Sequence, residues 1–228
     1  MPSLQLYDTL YGLSLFQGLS RNDLSEIVAQ IRFGFHKAAD GECVMREGDT
    51  CDKLVFLING KLRIENQSVN RRYSITEEIN APTVLQPERL FGLKQRYTTT
   101  YFAVGQCNFI ALDKQEVMKL SDNFIIFRMN LLNIISTIAQ KQSQAIWRST
   151  PLSVRERIIH FIEQRCQRPA GEKHIKIRME DLAEEICDSR LNVSRALNAM
   201  QDEGLIRLGR GSIHIPQVEM LIQICNIR

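Results

Sequence analysis

The stretch "EDLAEEICDSRLNVSRALNAM", residues 180–200, decides how the chain is read. Val193, Ala196, Leu197 and Met200 fall at i, i+3, i+4 and i+7, which is one apolar stripe of a helix. Leu182, Ala183 and Ile186 mark a shorter helix just before it. Asp188 or Ser189 stands between the two as N-cap, since either side chain accepts from free backbone N–H groups. Ala183, Cys187 and Val193 have the spacing of two helices meeting across a tight turn: a small residue at the contact, a turn residue, then an apolar anchor. At about 100° per residue, Leu191 points away from the apolar stripe, with Arg195 and Asn198 on its side. A leucine in the middle of a wet, basic helix face is the anomaly here.

The surroundings extend the motif. "RPAGEKHIKIRM" before it reads as a turn and a short strand. "EGLIRLGRGSIHI" after it reads as two β runs joined at Gly209-Arg210-Gly211, a small hairpin. Helix, strand, two helices and hairpin together predict a winged helix-turn-helix. Such a unit exposes the outer face of its second helix, which here carries Ser189, Arg190, Leu191, Asn192, Ser194, Arg195 and Asn198. Arginine matches guanine O6/N7, asparagine matches adenine, and serine suits phosphate. Lys173, Lys176 and Arg178 before the motif, and Arg207 and Arg210 in the wing, supply charge for phosphate contacts. Double-stranded DNA is the expected partner. The alternative is a winged helix used for protein contacts, which would show no salt-dependent duplex affinity.

Composition restricts the classes. The chain has 228 residues, 44% hydrophobic and 24% charged, with a formal charge of +3. No global basic field is present, so any nucleic-acid site must be local. No run of 18 apolar residues suggests a membrane span. The start "MPSLQLYDTLYGLSLF" lacks a basic n-region and apolar core, and a cytoplasmic protein is expected. Cysteines 43, 51, 107, 166, 187 and 225 show no C-x-x-C spacing and read as free thiols with no metal site. A cupin-like enzyme would need a cluster of His and Glu. His36 stands alone in the β-rich region, so no enzyme and no catalytic residue are expected.

The N-terminal half has a different texture. A helix is predicted at 22–31, with Asn22 as cap. From about 33 to 113, short β-rich runs alternate with turn residues, and Asn59-Gly60 is a strong hairpin signal. "YTTTYFAVGQCNFIALD" (97–113) mixes the residues that strands favour. This predicts a jelly-roll, a double-stranded β-helix, over 1–114. From 114 to Trp147 there is neither proline nor glycine, and a long helix is predicted over 115–148. Phe124, Phe127, Leu131, Ile134 and Ile138 form one stripe on it, and Ile125, Leu132, Ile135 and Ala139 a second. One stripe covers the β domain; the other faces an identical helix, because a heptad-like seam needs a partner. We assign the dimer interface to the Phe124 stripe. "RSTP" (148–151) breaks the helix, placing the winged helix at 149–228 and the whole chain in the α+β class.

Two stretches carry a family resemblance. "REGDTCDKLVFLINGKLRI" (46–64) resembles the β-roll, and residues 180–215 resemble the DNA-binding unit, of the Crp/Fnr superfamily of bacterial transcription regulators. The resemblance implies a β-roll sensor with a cyclic-nucleotide-binding-like fold, a dimer helix and a winged helix. It also implies a homodimer on a palindromic operator, acting with RNA polymerase. It places an effector pocket at Phe91, Gly92, Leu93, Arg96, Thr98, Thr99 and Thr100.

Departures bear on the signal. Relatives that bind cyclic AMP carry Gly-Glu and Arg-Ser or Arg-Thr. In "LFGLKQRYTTTY" (90–101) Leu93 follows Gly92, and Arg96 is followed by Tyr97. Cyclic AMP is therefore not expected. No cysteine precedes Cys43, so an iron–sulfur cluster is not expected either. Haem stays open through His36, His160, His174 or a Met or Cys, and with it a haem-based gas or nitrosative-stress sensor. Arg190 matches the family's guanine-reading arginine, and Ser194-Arg195 the Ser-Arg pair of its oxygen-sensing branch. Leu191 stands where relatives have a glutamate that reads cytosine N4; a leucine can pack on a thymine methyl instead. Cys187 replaces the glycine common in the turn.

Overall fold

The computed structural model describes residues 3–146 and 153–226. By their contacts they fall into two units, one within 1–62 and 79–146, the other within 63–78 and 147–228. The break expected at "RSTP" lies outside the described residues.

The first unit opens with helix α1 (Ser3–Tyr11), a 3₁₀ turn (Ser14–Phe16) and α2 (Arg21–Gln30). Ser20, not Asn22, caps α2. Its Oγ accepts from Asp23 N at 3.1 Å while the Asp23 carboxylate accepts from Ser20 N at 2.9 Å, a reciprocal pair that Asn22 lacks. Strands β1 (Gly34–Ala38), β2 (Cys43–Met45), β3 (Lys53–Gln67), β4 (Tyr73–Asn80), β5 (Thr83–Leu85) and β6 (Thr100–Asp113) follow. Strand β6 organises them: β1 and β2 pair with it antiparallel, β3 is its neighbour, and β5 pairs with β3.

The hairpin expected at Asn59-Gly60 does not form. Strand β3 runs straight through, because Gly60 lies against β6: a Cβ there would sit 2.7 Å from Cys107 Sγ. Gly60 also has φ +101, which favours glycine. The turn comes later. Ser68 N donates to Tyr73 O, and Arg71 adopts φ +56.

The long helix divides into α3 (Lys114–Asn123) and α4 (Ile125–Ile146), with Phe124 extended between them. Ser121, Asp122 and Asn123 are poor helix formers, and the chain breaks there without glycine or proline. Phe124, Phe127 and Leu131 are buried in this unit, and the Phe127 ring lies 5.3 Å from that of Phe16. Asn130 Nδ2 pins α4 by donating to Leu15 O and Gln17 O at 3.1 and 2.8 Å. These three apolar residues therefore build the core and not a dimer seam, which corrects the expectation; Ile134 and Ile138 are half-buried. Periodicity finds stripes but cannot say which one turns inward. Among the described residues of α4, the large apolar side chains that are exposed are Ile125, Met129 and Leu132.

The second unit contains α5 (Val154–Arg165), β7 (Lys173–Ile177), α6 (Met179–Glu185), α7 (Arg190–Asp202), β8 (Arg207–Gly209), β9 (Ser212–Ile215) and α8 (Val218–Asn226). Its sheet is extended beyond the wing, because β4 adds to β7 from Tyr73↔Ile177 to Glu77↔Lys173 and the end of β3 lies beside β4. Ile75 joins Ile158, Ile175, Leu182, Val193, Leu197 and Ile213 in one core. The tip of the β3–β4 hairpin thus groups with the C-terminal unit, although the sequence reading kept it within 1–114.

An ion pair closes this seam. Lys173 Nζ donates to Glu77 at 2.8 Å, with both side chains at 1% exposure or less. The Glu77 carboxylate also accepts from Gln167 N and Arg168 N, and Lys173 donates to Ala170 O. Lys173 is therefore not a phosphate-binding residue, contrary to expectation; its charge is needed inside. Burial, and then the charge of Glu77, push the neighbouring Cys166 thiol up to about 12.

Candidate nucleic-acid interface

Helices α6 and α7 meet through a four-residue connection, 186–189. Leu182, Ala183 and Ile186 bury against the Val193, Leu197 and Met200 stripe. The turn closes as Asp188 N donates to Ala183 O at 2.9 Å. That closure needs Cys187 in the left-handed region, φ +53, where a glycine would sit without strain. Ser189 is the N-cap, accepting from Asn192 N at 3.2 Å.

Two arginines of α5 hold this element, and sequence reasoning missed both. Arg157 Nη1 donates to Ile186 O and Cys187 O at 3.3 Å each, and its Nη2 pairs with Asp188. Arg155 makes a fork to Glu203 at 2.7 and 2.6 Å, at the far end of α7. Their only signal was position: they flank the buried stripe of α5. Asn192 donates to Asp188 at 2.9 Å, and that bond, the Ser189 N–H and Arg157 hold the Asp188 carboxyl below the usual carboxylate range. Arg155 lowers Glu203 likewise. Gln201 Oε1 accepts from Leu208 N at 2.7 Å, tying α7 to the wing.

The outer face of α7 is open. Leu191 is 58% exposed, and Arg195 and Asn198 are exposed beside it. Arg190 approaches Glu180 at 3.4 Å, but both are so exposed that the pair is weak. Ser194 is half-buried and accepts from Asn198 at 3.5 Å. Arg195 has no partner among the described residues. Arg207 and Arg210 are exposed on the wing, and Lys176 on β7; Arg178 is engaged by Asp181 at 2.7 Å.

The first unit holds an open surface depression of about 580 Å³, whose lining includes the fully exposed Leu93. Leu93, Arg96 and Thr98 line it as expected, and so do Arg89 and Lys94, which the sequence reading missed. Phe91 and Gly92 are exposed outside it, Thr99 is buried away from it, and the Thr100 hydroxyl accepts from Glu47 N at 3.1 Å. These four correct the expected set: residues 91–99 run outside any named strand, so no regular alternation aims them at one side, and Thr100 opens β6 with its hydroxyl tied to Glu47 N. Gln86 is buried with φ +42, and its Oε1 accepts from Thr98 N and Oγ1 at 2.9 and 3.2 Å.

Two family models match the chain, the Crp-like helix-turn-helix domain over residues 156–224 and the cyclic nucleotide-binding domain over 35–124. The chain belongs to the Crp/Fnr superfamily. It is a transcription regulator of the Crp/Fnr type, with a helix-turn-helix and a cyclic-nucleotide-binding-like sensor domain. Among its relatives, the cyclic AMP receptor protein of Thermus thermophilus is 25% identical over 223 residues, covering 93% of this chain and 97% of that one. The fold is also that of the Thermus thermophilus catabolite activator protein (20% identical, TM-score 0.51, 93% of this chain and 98% of that one). The sensor domain of the regulator DNR from Pseudomonas aeruginosa is similar as well (19%, TM-score 0.52, 67% and 98%). For a Crp/Fnr regulator, the turn at Cys187 and the clamps from Arg155 and Arg157 are the parts that present α7. No helix among the described residues is long and apolar enough to cross a membrane.

Proposed function

We propose that the protein is a cytoplasmic homodimer that binds a palindromic operator and acts with RNA polymerase, under control of a small effector in the first unit. The observation that carries this reading is the outer face of α7, where Leu191, Arg195 and Asn198 are exposed on a helix braced at both ends. Arg190, Asn192 and Arg195 address base edges; Ser189, Ser194, Arg207 and Arg210 address phosphates. The dimer forms through Ile125, Met129 and Leu132, an exposed apolar stripe at helical spacing on α4.

The effector binds at this 580 Å³ depression, where Lys94 favours an anion; Arg96 donates to Gly48 O at 2.6 Å and Arg89 pairs with Glu88, so each would have to share its charge. Cyclic AMP, which names the Thermus relative, is not carried over: no arginine is followed by Ser or Thr here, and Gln86 already satisfies Thr98. The lining of the depression contains no His, Cys or Met to ligate haem.

Two-fold symmetry demands half-sites one helical turn apart, about 10 base pairs centre to centre. Duplexes selected by the full-length protein from a random pool should show this spacing, and inserting half a turn between the half-sites should abolish tight binding. Selected sites without a repeated half-site would contradict the dimeric reading.

A further inference from the structure

Leu191 has no structural task. The core beneath α7 is completed by Val193, Leu197 and Met200, and Leu191 projects from the opposite side with 58% of its surface in water. It stands in the first turn of the helix, the part of a helix-turn-helix that meets base edges. Beside it, Asn192 is bonded to Asp188, which Arg157 holds in turn, and Arg190 makes only a weak, solvated approach to Glu180. One turn further on the same face stands Arg195, exposed and without a partner among the described residues. Leu191 and Arg195 thus place one methyl-rich group and, one turn on, one unpartnered guanidinium on the same open face.

Their chemistry selects the bases. Leucine has no donor or acceptor, so the feature of a major-groove edge that it complements is the thymine C5-methyl. A cytosine beneath it would lose water from its N4 amino group and gain no acceptor. Residues four apart on a helix stand about 5–6 Å apart, between one and two base steps of about 3.4 Å. We propose that Leu191 and Arg195 read one composite element, a pyrimidine C5-methyl within two base steps of a guanine in each half-site. This rests on the reading of α7 as a DNA reader, and names the operator chemistry that reading leaves open.

The test removes a methyl group and nothing else. Duplexes selected by the full-length protein are remade with each thymine replaced in turn by uracil, and affinity is measured by fluorescence anisotropy at fixed salt. One thymine per half-site, within two steps of an essential guanine, should weaken binding about fourfold when replaced, the worth of one buried methyl. Leu191→Ala, at an exposed site, should melt like the wild type and bind the thymine and uracil duplexes alike. Leu191→Met should keep the methyl dependence. Selective binding with no uracil-sensitive position, or equal sensitivity in Leu191→Ala, overturns the proposal and leaves the DNA reading intact. No salt-dependent duplex binding at all overturns both.

Discussion

Two charged regions of the C-terminal unit look alike in sequence and do opposite things. At the β4–β7 seam, Lys173 and Glu77 are withdrawn from water, and both make further bonds to backbone groups. On the outer face of α7, Arg195 is left solvated. A buried charge must be matched where it stands, because desolvation costs several kcal/mol per ion. A charge kept in water costs the fold little and remains available to a phosphate or a base. The seam fixes structure, and the open face is free for recognition.

The largest effect should come from breaking the seam. Glu77→Ala strands Lys173 without its partner and should lose about 3–5 kcal/mol of stability in denaturant unfolding. Lys176→Ala, three residues along the same strand and exposed, should stay within about 0.5 kcal/mol of wild type. Equal stabilities for the two variants would remove the contrast.

On the open face, Arg195→Ala should cost about 1–3 kcal/mol in affinity for a selected duplex while leaving the melting temperature unchanged. A smaller effect sits at the turn. Cys187→Gly relieves a left-handed non-glycine residue and should stabilise by about 0.5–1 kcal/mol, after the extra freedom glycine has when unfolded.

The smallest effect is a pH dependence of that turn. The Asp188 carboxyl lies below its unfolded range, mainly through Asn192 and the Ser189 N–H and also through Arg157. Its contribution is present in full above the unfolded value and is lost as pH falls through the folded one. Asp188→Asn should therefore flatten part of the acid limb of a stability–pH curve without changing its neutral limb; an unaltered acid limb would argue against the turn network.

These contrasts also show what the sequence could carry. The winged helix was legible because its signals are local: the Val193–Met200 stripe, the Ser189 cap and the Gly209–Gly211 turn all act over a few residues. Asn59-Gly60 was misread because a distant neighbour, Cys107, decides what Gly60 does. Lys173 and Lys176 both read as basic flank, and only the arrival of β4 distinguishes them. The two stripes of α4 were visible, but choosing the inward one required Phe16 against Phe127. Gln86, Arg89 and Lys94 carried no signal, because residues 86–98 run mostly outside regular strands and helices and have no period to read.

The most direct test of the account compares a selected duplex with a scrambled one of equal length, for the wild type and Arg195→Ala, across a salt series. The account predicts that the wild type prefers the selected duplex by a factor of about 10³ or more and that both affinities fall with salt. It predicts that Arg195→Ala loses about 1–3 kcal/mol of the preference and keeps nearly all of the affinity for the scrambled duplex. A wild type that binds both duplexes equally, or an Arg195→Ala protein that discriminates as well as the wild type, would contradict it.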